Sequence, residues 1–232
     1  MKVKLLTYTK DPEQVVAAAI RQCYAQVGPG ELKRKIDKET RERLIKQVLA
    51  SGHTSTLEHA SFTFGIEGVS RVTEIQLIRH RIGSSYSIQS GRYVKRGEAK
   101  FVIPVAIKNN KKILSKYKKV LKGVQDLYNE MIDVGIKTED ARYLQPQSLQ
   151  TKIVVTMNIR SLLHFFTLRC CRRAQWEIQE MANLMLTEVR RVAPIVFAKA
   201  GPTCMTEKIC WEGSKSCGRW EKIKGAEVRT RI

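Results

Sequence analysis

Ser61-Phe62-Thr63-Phe64-Gly65-Ile66-Glu67-Gly68-Val69-Ser70-Arg71-Val72-Thr73-Glu74-Ile75-Gln76-Leu77-Ile78-Arg79-His80-Arg81 holds a strand signal and a helix signal back to back. Residues 61–66 read as a strand. Ser70 is placed to cap a helix from Arg71 to about Arg81, because its hydroxyl can accept a free amide hydrogen of the first turn. A polar, serine-rich turn follows at 83–90.

The neighbouring segments extend this pattern. Toward the N-terminus, residues 2–9 alternate as a strand would. Asp11-Pro12 reads as a cap with proline at the first helical position, and Gln14 completes a capping box. That helix runs to about Ala25, Gly28-Pro29-Gly30 breaks the chain, and a second helix is expected between Asp37 and Gly52. Toward the C-terminus, two short strands are expected, near Tyr93 and at 101–107. Ile113, Tyr117, Val120, Leu121, Val124, Leu127, Tyr128 and Met131 then recur in steps of three and four, giving a helix with a buried stripe and a lysine-rich outer face. A strand at 153–156 and two helices between Asn158 and Ala193 complete the series. Strands and helices mix without strict βαβ alternation. The expected class is therefore α+β, a central mostly antiparallel sheet flanked by helices in a single domain. The domain is placed at residues 1–200, with a cysteine-containing tail at 201–232.

The chain has 232 residues, 43% hydrophobic and 28% charged, as suits a globular protein with a sizeable core. No run approaches the roughly 18 to 20 apolar residues of a membrane helix, and the first residues lack signal-peptide character. A cytoplasmic protein is expected. A formal charge of +20 attracts anions, either nucleic acid or small polyanions such as nucleotides. Aromatic residues at 7% give no base-stacking platform, and no nucleic-acid motif is present. Three of the six cysteines, Cys204, Cys210 and Cys217, are separated by five and six residues, looser than a paired zinc motif. They read as ordinary loop cysteines, and no metal site is expected.

Three polar clusters carry chemistry. The first is Gln76-Leu77-Ile78-Arg79-His80-Arg81 with Ser84, Ser85, Ser87, Ser90, Gly91, Arg92 and Tyr93. The cations alone would suit a helix C-terminus. The added hydroxyls, exposed amide and arginine fork are what a phosphate needs. The second is His53-Thr54-Ser55-Thr56-Leu57-Glu58-His59. The third runs from Asn158 through Arg160, His164 and Arg169 to Arg173 and Trp176, with polar groups embedded among apolar ones that must find partners when buried.

These clusters, with Ala141-Arg142-Tyr143-Leu144 and Pro146 between them, resemble in order the flavin-dependent thymidylate synthases. The resemblance implies reductive methylation of dUMP to dTMP, with the carbon from methylenetetrahydrofolate, the hydride carried by FAD, and NADPH reducing the flavin. It implies a homotetramer with shared active sites and no cysteine nucleophile. By matched position, Ser55, Arg79, His80, Arg81, Ile88, Asn158, Arg160, His164 and Arg173 would bind FAD. Gln76, Leu77, Ile78, Arg79, Ile88, Gln89, Ser90, Gly91, Arg92, Arg142 and Arg169 would hold dUMP. Arg169 and His53 are the catalytic candidates, Arg169 because a cation near N3 of the uracil favours its deprotonated form. The chain departs from the family in having eight residues rather than the usual seven between Arg81 and Ser90. It also has Ile88 where a polar residue is common, His164 where asparagine is common, and Arg173 where histidine is common. The alternative from another class is a basic nucleic-acid-binding module without catalysis.

Overall fold

The structure, a computed structural model, describes residues 1–94 and 97–230. In chain order come β1 (Lys2–Tyr8), α1 (Pro12–Gln22), α2 (Pro29–Lys35) and α3 (Lys38–Ser51). Next are β2 (Ser61–Ser70), α4 (Arg71–Leu77), β3 (Ser84–Ile88), α5 (Val105–Lys108), α6 (Lys111–Asp133) and α7 (Thr138–Ala141). β4 (Gln150–Asn158), α8 (Ile159–Arg169) and α9 (Trp176–Val192) lead to a C-terminal part with α10 (Thr203–Thr206), β5 (Ile209–Cys210) and β6 (Glu227–Val228). The main sheet is antiparallel in the order β1-β2-β4-β3, and β5 pairs with β6 in parallel. The class is α+β, as expected.

The chain forms two compact units. The first comprises Met1–Lys2, Ile66–Arg79 and Tyr86–Val154, and the second Val3–Gly65, His80–Ser85 and the chain from Val155.

In the first unit, Ile66, Val69, Leu77, Leu121, Tyr128, Leu149 and Ile153 are buried. Ser70 caps α4 as expected, its Oγ accepting from the Thr73 amide at 3.3 Å. The helix nevertheless ends at Leu77, not Arg81. The reason is the next segment: residues 84–88 form strand β3 beside β4 rather than a turn, so the intervening residues must reverse the chain. Of the two strands expected beyond Ser90, Tyr93 lies in a turn. Phe101 makes a single antiparallel bridge to Leu149, and Val105–Lys108 is one helical turn. The lysine-faced helix forms as α6, capped by Asn110. Its stripe is only partly buried. Leu121 and Tyr128 are inside, but Ile113, Val120 and Leu127, each seven residues apart, are 46%, 63% and 46% exposed.

In the second unit, Phe62 and Phe64 of β2, Val155 and Met157 of β4, Phe165 and Phe166 of α8, and Met181, Met185 and Val189 of α9 are buried with Phe197. Phe197 meets the rings of Phe62 and Phe166 edge-on, at 5.7 and 5.9 Å between centroids. The capping box at Asp11 does not form. Asp11 sits at φ 52 with no side-chain cap, while the Gln14 amide donates to the Lys33 and Ile36 carbonyls at 2.8 Å each. α1 stops at Gln22. Pro29 does not break the chain but opens α2, where its missing N–H costs nothing. α3 is as read: Asp37 accepts from the Thr40 amide, and Gly52 ends the helix at φ 76. Glu13 is buried in the first turn of α1, and its Oε1 accepts the Ile195 and Val196 amides at 2.6 and 3.0 Å. Burial raises its pKa, and those amides oppose the rise.

Candidate active site

The expected site residues sort by unit. Gln76, Leu77, Ile78, Arg79, Ile88, Gln89, Ser90, Gly91, Arg92 and Arg142, all expected on dUMP, belong to the first unit. His53, Ser55, His80, Arg81, Asn158, Arg160, His164 and Arg173 of the expected flavin side, with Arg169, belong to the second, whereas Arg79 and Ile88, expected on FAD as well as dUMP, do not.

In the first unit, Ser90, Gly91 and Arg92 form a tight turn in which Ser90 Oγ accepts the Arg92 amide at 3.0 Å. Arg92 Nε pairs with Glu139 at 2.8 Å, and the Arg92 carbonyl accepts the Thr138 hydroxyl. Arg142 Nε donates to the Glu139 carbonyl at 3.0 Å. A Cβ on Gly91 would lie 3.5 Å from Arg142 Cδ, so the two expected ligand residues are neighbours. Arg92 and Glu139 line a cavity of about 430 Å³ with Tyr93 and Lys137. Gln89 lines a different one, about 560 Å³, with Lys100, Gln150 and Lys152. The Gln89 amide also donates to the Lys152 carbonyl at 2.9 Å, continuing the pairing of β3. Successive strand residues face opposite ways, so Ile88 and Gln89 point to different sides. Tyr86, on the Ile88 side, donates its hydroxyl to the Leu77 carbonyl.

In the second unit, α8 places Arg169 one turn beyond Phe165, and His80 packs against both. Arg169 Nε donates to His80 Nε2 at 2.9 Å, and the His80 ring stands edge-on to Phe165 at 4.9 Å and to His164 at 6.2 Å. Burial, then Arg169 and His164, lowers the His80 pKa from 6.5 to about 4. His80 is therefore neutral near pH 7, as an acceptor from a guanidinium requires. Burial also lowers the pKa of Arg169, the mark of a poorly solvated cation. Asn158 caps α8 through Oδ1 to the Ser161 amide at 2.8 Å, and Ser161 Oγ donates to the Ile82 carbonyl at 2.6 Å. The Asn158 amide donates to the Gly83 carbonyl at 3.1 Å. Together these bonds clamp the 80–85 loop to the start of α8. Arg160 pairs with Glu58 at 2.5 Å. His53 and Ser55 are exposed, at and just inside the start of the 3-10 turn Thr54–His59. Among the described residues Arg79, Arg81 and Arg173 are exposed and make no ion pair. They are free to meet an anionic ligand. Cys170 is buried in the unit's core and burial pushes its thiol up to about 12, which suits a structural residue.

The sequence reading missed Glu139, Thr138 and Phe165, which hold Arg92 and His80. Glu139, one helical turn before Arg142, carried a signal as an acid beside an arginine cluster. Phe165 carried none, because an apolar residue in an apolar helix has no pattern that marks it.

The model of the thymidylate synthase complementing protein family matches residues 4–195. A flavin-dependent thymidylate synthase of Geobacter sulfurreducens is 47% identical, the match covering 97% of each chain. One from Clostridium tetani is 42% identical over 97% of this chain and 96% of its own. Among solved structures, a UMP/dUMP methylase, PolB, from Streptomyces cacaoi bound with 5-Br dUMP has a similar fold. It superposes with a TM-score of 0.73 at 24% identity, covering 85% of this chain and 93% of that one. Family match and relatives leave the nucleic-acid module without support, and the chain belongs to the flavin-dependent thymidylate synthase family.

Proposed function

We propose that the protein reductively methylates dUMP to dTMP as a cytoplasmic enzyme, with methylenetetrahydrofolate as carbon donor and NADPH as reductant of bound FAD. The observation that carries this reading is the half-buried Arg169–His80 pair, in a chain where Arg79, Arg81 and Arg173 are exposed and have no acidic partner among the described residues. FAD, when bound, supplies the hydride. Its fit rests on the donor set of the second unit: Arg81 and Arg173 can face a pyrophosphate, and the Asn158 and Ser161 clamp fixes the backbone between His80 and Ser85.

The chain's own residues bind and polarise. Ser90, Gly91, Arg92 and Arg142 offer hydroxyl, amide and guanidinium donors to the dUMP phosphate. Gln76 and Ile78 flank the nucleoside, whereas Leu77, expected beside it, is fully buried in the core and can only position them; one of Ile88 and Gln89 reaches it, the other facing away. The uracil ring is assigned to Arg169, since a poorly solvated cation stabilises negative charge strongly. Neutral His80 holds the guanidinium by Nε and leaves its other N–H groups for substrate. His53, exposed and with no side-chain hydrogen bond among the described residues, is our candidate to meet folate and flavin, with Ser55, Arg160 and His164 completing the flavin side.

We read residues 1–200 as the synthase domain and 201–232 as an added tail. A homotetramer with shared sites is supported by the exposed apolar stripe of α6, since such stripes on a surface helix mark association. The test is direct. Purified protein given FAD should show bound-flavin absorbance, and with dUMP, methylenetetrahydrofolate and NADPH it should form dTMP and rescue a thymidine-requiring cell. Absence of flavin binding would end the proposal, and binding without dTMP formation would limit it to a family member that has lost the activity.

A further inference from the structure

The tail after Gly201 is ordered without a core of its own. Its strands are two residues long, its helix spans four, and from 201 to 230 only Gly201, Pro202, Cys204 and Cys210 are buried. Segments this small hold one shape only when something staples them. Cys171, Cys204, Cys210 and Cys217 line one small cavity of about 70 Å³, with Arg172 and Arg219 also in its wall.

We propose that these four cysteines bind a single zinc ion that staples the tail to the end of α8. Zinc takes four thiolates in a tetrahedron, and a cavity of this size suits an ion rather than an organic ligand. Each thiol loses its proton to solvent on binding, so the closed site carries two negative charges. Arg172 and Arg219 offset them. Donors to sulfur are already present, as such sites require: the Arg173 amide lies 3.5 Å from Cys171 Sγ, and Ser216 Oγ 3.4 Å from Cys210 Sγ. Among the described residues no three such side chains already stand in ligating geometry, so binding requires the cysteines to turn inward about their single rotatable bond. The site is invisible to spacing rules because its fourth member, Cys171, lies 33 positions before Cys204 in the chain.

Full-length protein purified without chelator should contain about one zinc per chain by elemental analysis. Cobalt in its place should give the thiolate charge-transfer and intense visible bands of a tetrahedral sulfur site. Cys217→Ser, at an exposed position where a fold defect is least expected, should lower zinc content at least tenfold, and Cys23→Ser should leave it unchanged. Removing zinc should speed amide exchange in residues 203–217 without altering the rest of the chain. Metal-free protein, whether its cysteines titrate as free thiols or are found by mass spectrometry in a disulfide, overturns the proposal. So does zinc content equal in the Cys217→Ser variant and the parent.

Discussion

Arg169 and His80 form the one charged-to-neutral contact on which the proposed chemistry turns. Arg169→Ala removes the cation proposed to meet the uracil ring. Its expected effect is a fall in kcat of about 100-fold or more, the scale of losing one oxyanion-type donor, with the fold retained by circular dichroism. Turnover at the parental rate would take Arg169 out of the chemistry. His80 gives a second prediction. Its folded-state pKa, about 4, lies below the ordinary 6.5. The unfolded chain therefore takes up the extra proton, and stability is lost as pH falls from about 6.5 to about 4, by up to about tenfold per pH unit in the folding equilibrium. Denaturant titrations across that range should show this slope, and His80→Gln should remove one proton's worth of it. Arg169 and His80 were both legible in the sequence as polar residues in apolar or basic settings. Their partnership was not, because they lie 89 positions apart.

The 80–85 loop is the element that ties His80 to the start of α8. Gly83 has φ 64, a left-handed conformation, and a Cβ there would overlap Asn158 Nδ2 and Ser161 Oγ. Gly83→Ala is expected to cost on the order of 1–3 kcal/mol in stability and to weaken FAD binding, measured by fluorescence titration, more than dUMP binding. Equal affinity for FAD in variant and parent would detach the loop from the flavin side. The helix starts at Asp37, Ser70, Asn110 and Asn158 were readable because a capping oxygen acts within three residues. The end of α4 and strand β3 were not. Ser84-Ser85-Tyr86-Ser87-Ile88 has a turn's composition, and only its place beside β4 makes it a strand.

For the whole molecule, the exposed residues Ile113, Val120 and Leu127 predict association. Val120→Glu should shift the particle mass by light scattering from a tetramer to smaller species and lower specific activity with it. An unchanged mass would place the interface elsewhere. The net charge of +20 acts at this scale too, as attraction for anionic substrates that weakens with salt. By itself the sequence determined the family, the α+β class and most helix starts, and it named the residues proposed to face ligands. Those features rest on local caps, on periodicity and on residue types that chemistry cannot replace. Only the tertiary structure decided that Glu139 holds Arg92, that His80 is a neutral acceptor for Arg169, that α6 leaves its stripe outside, and that Cys171 joins the cysteines of the tail. Each of these joins residues far apart in the chain or depends on what covers a surface, and neither is written in any local pattern.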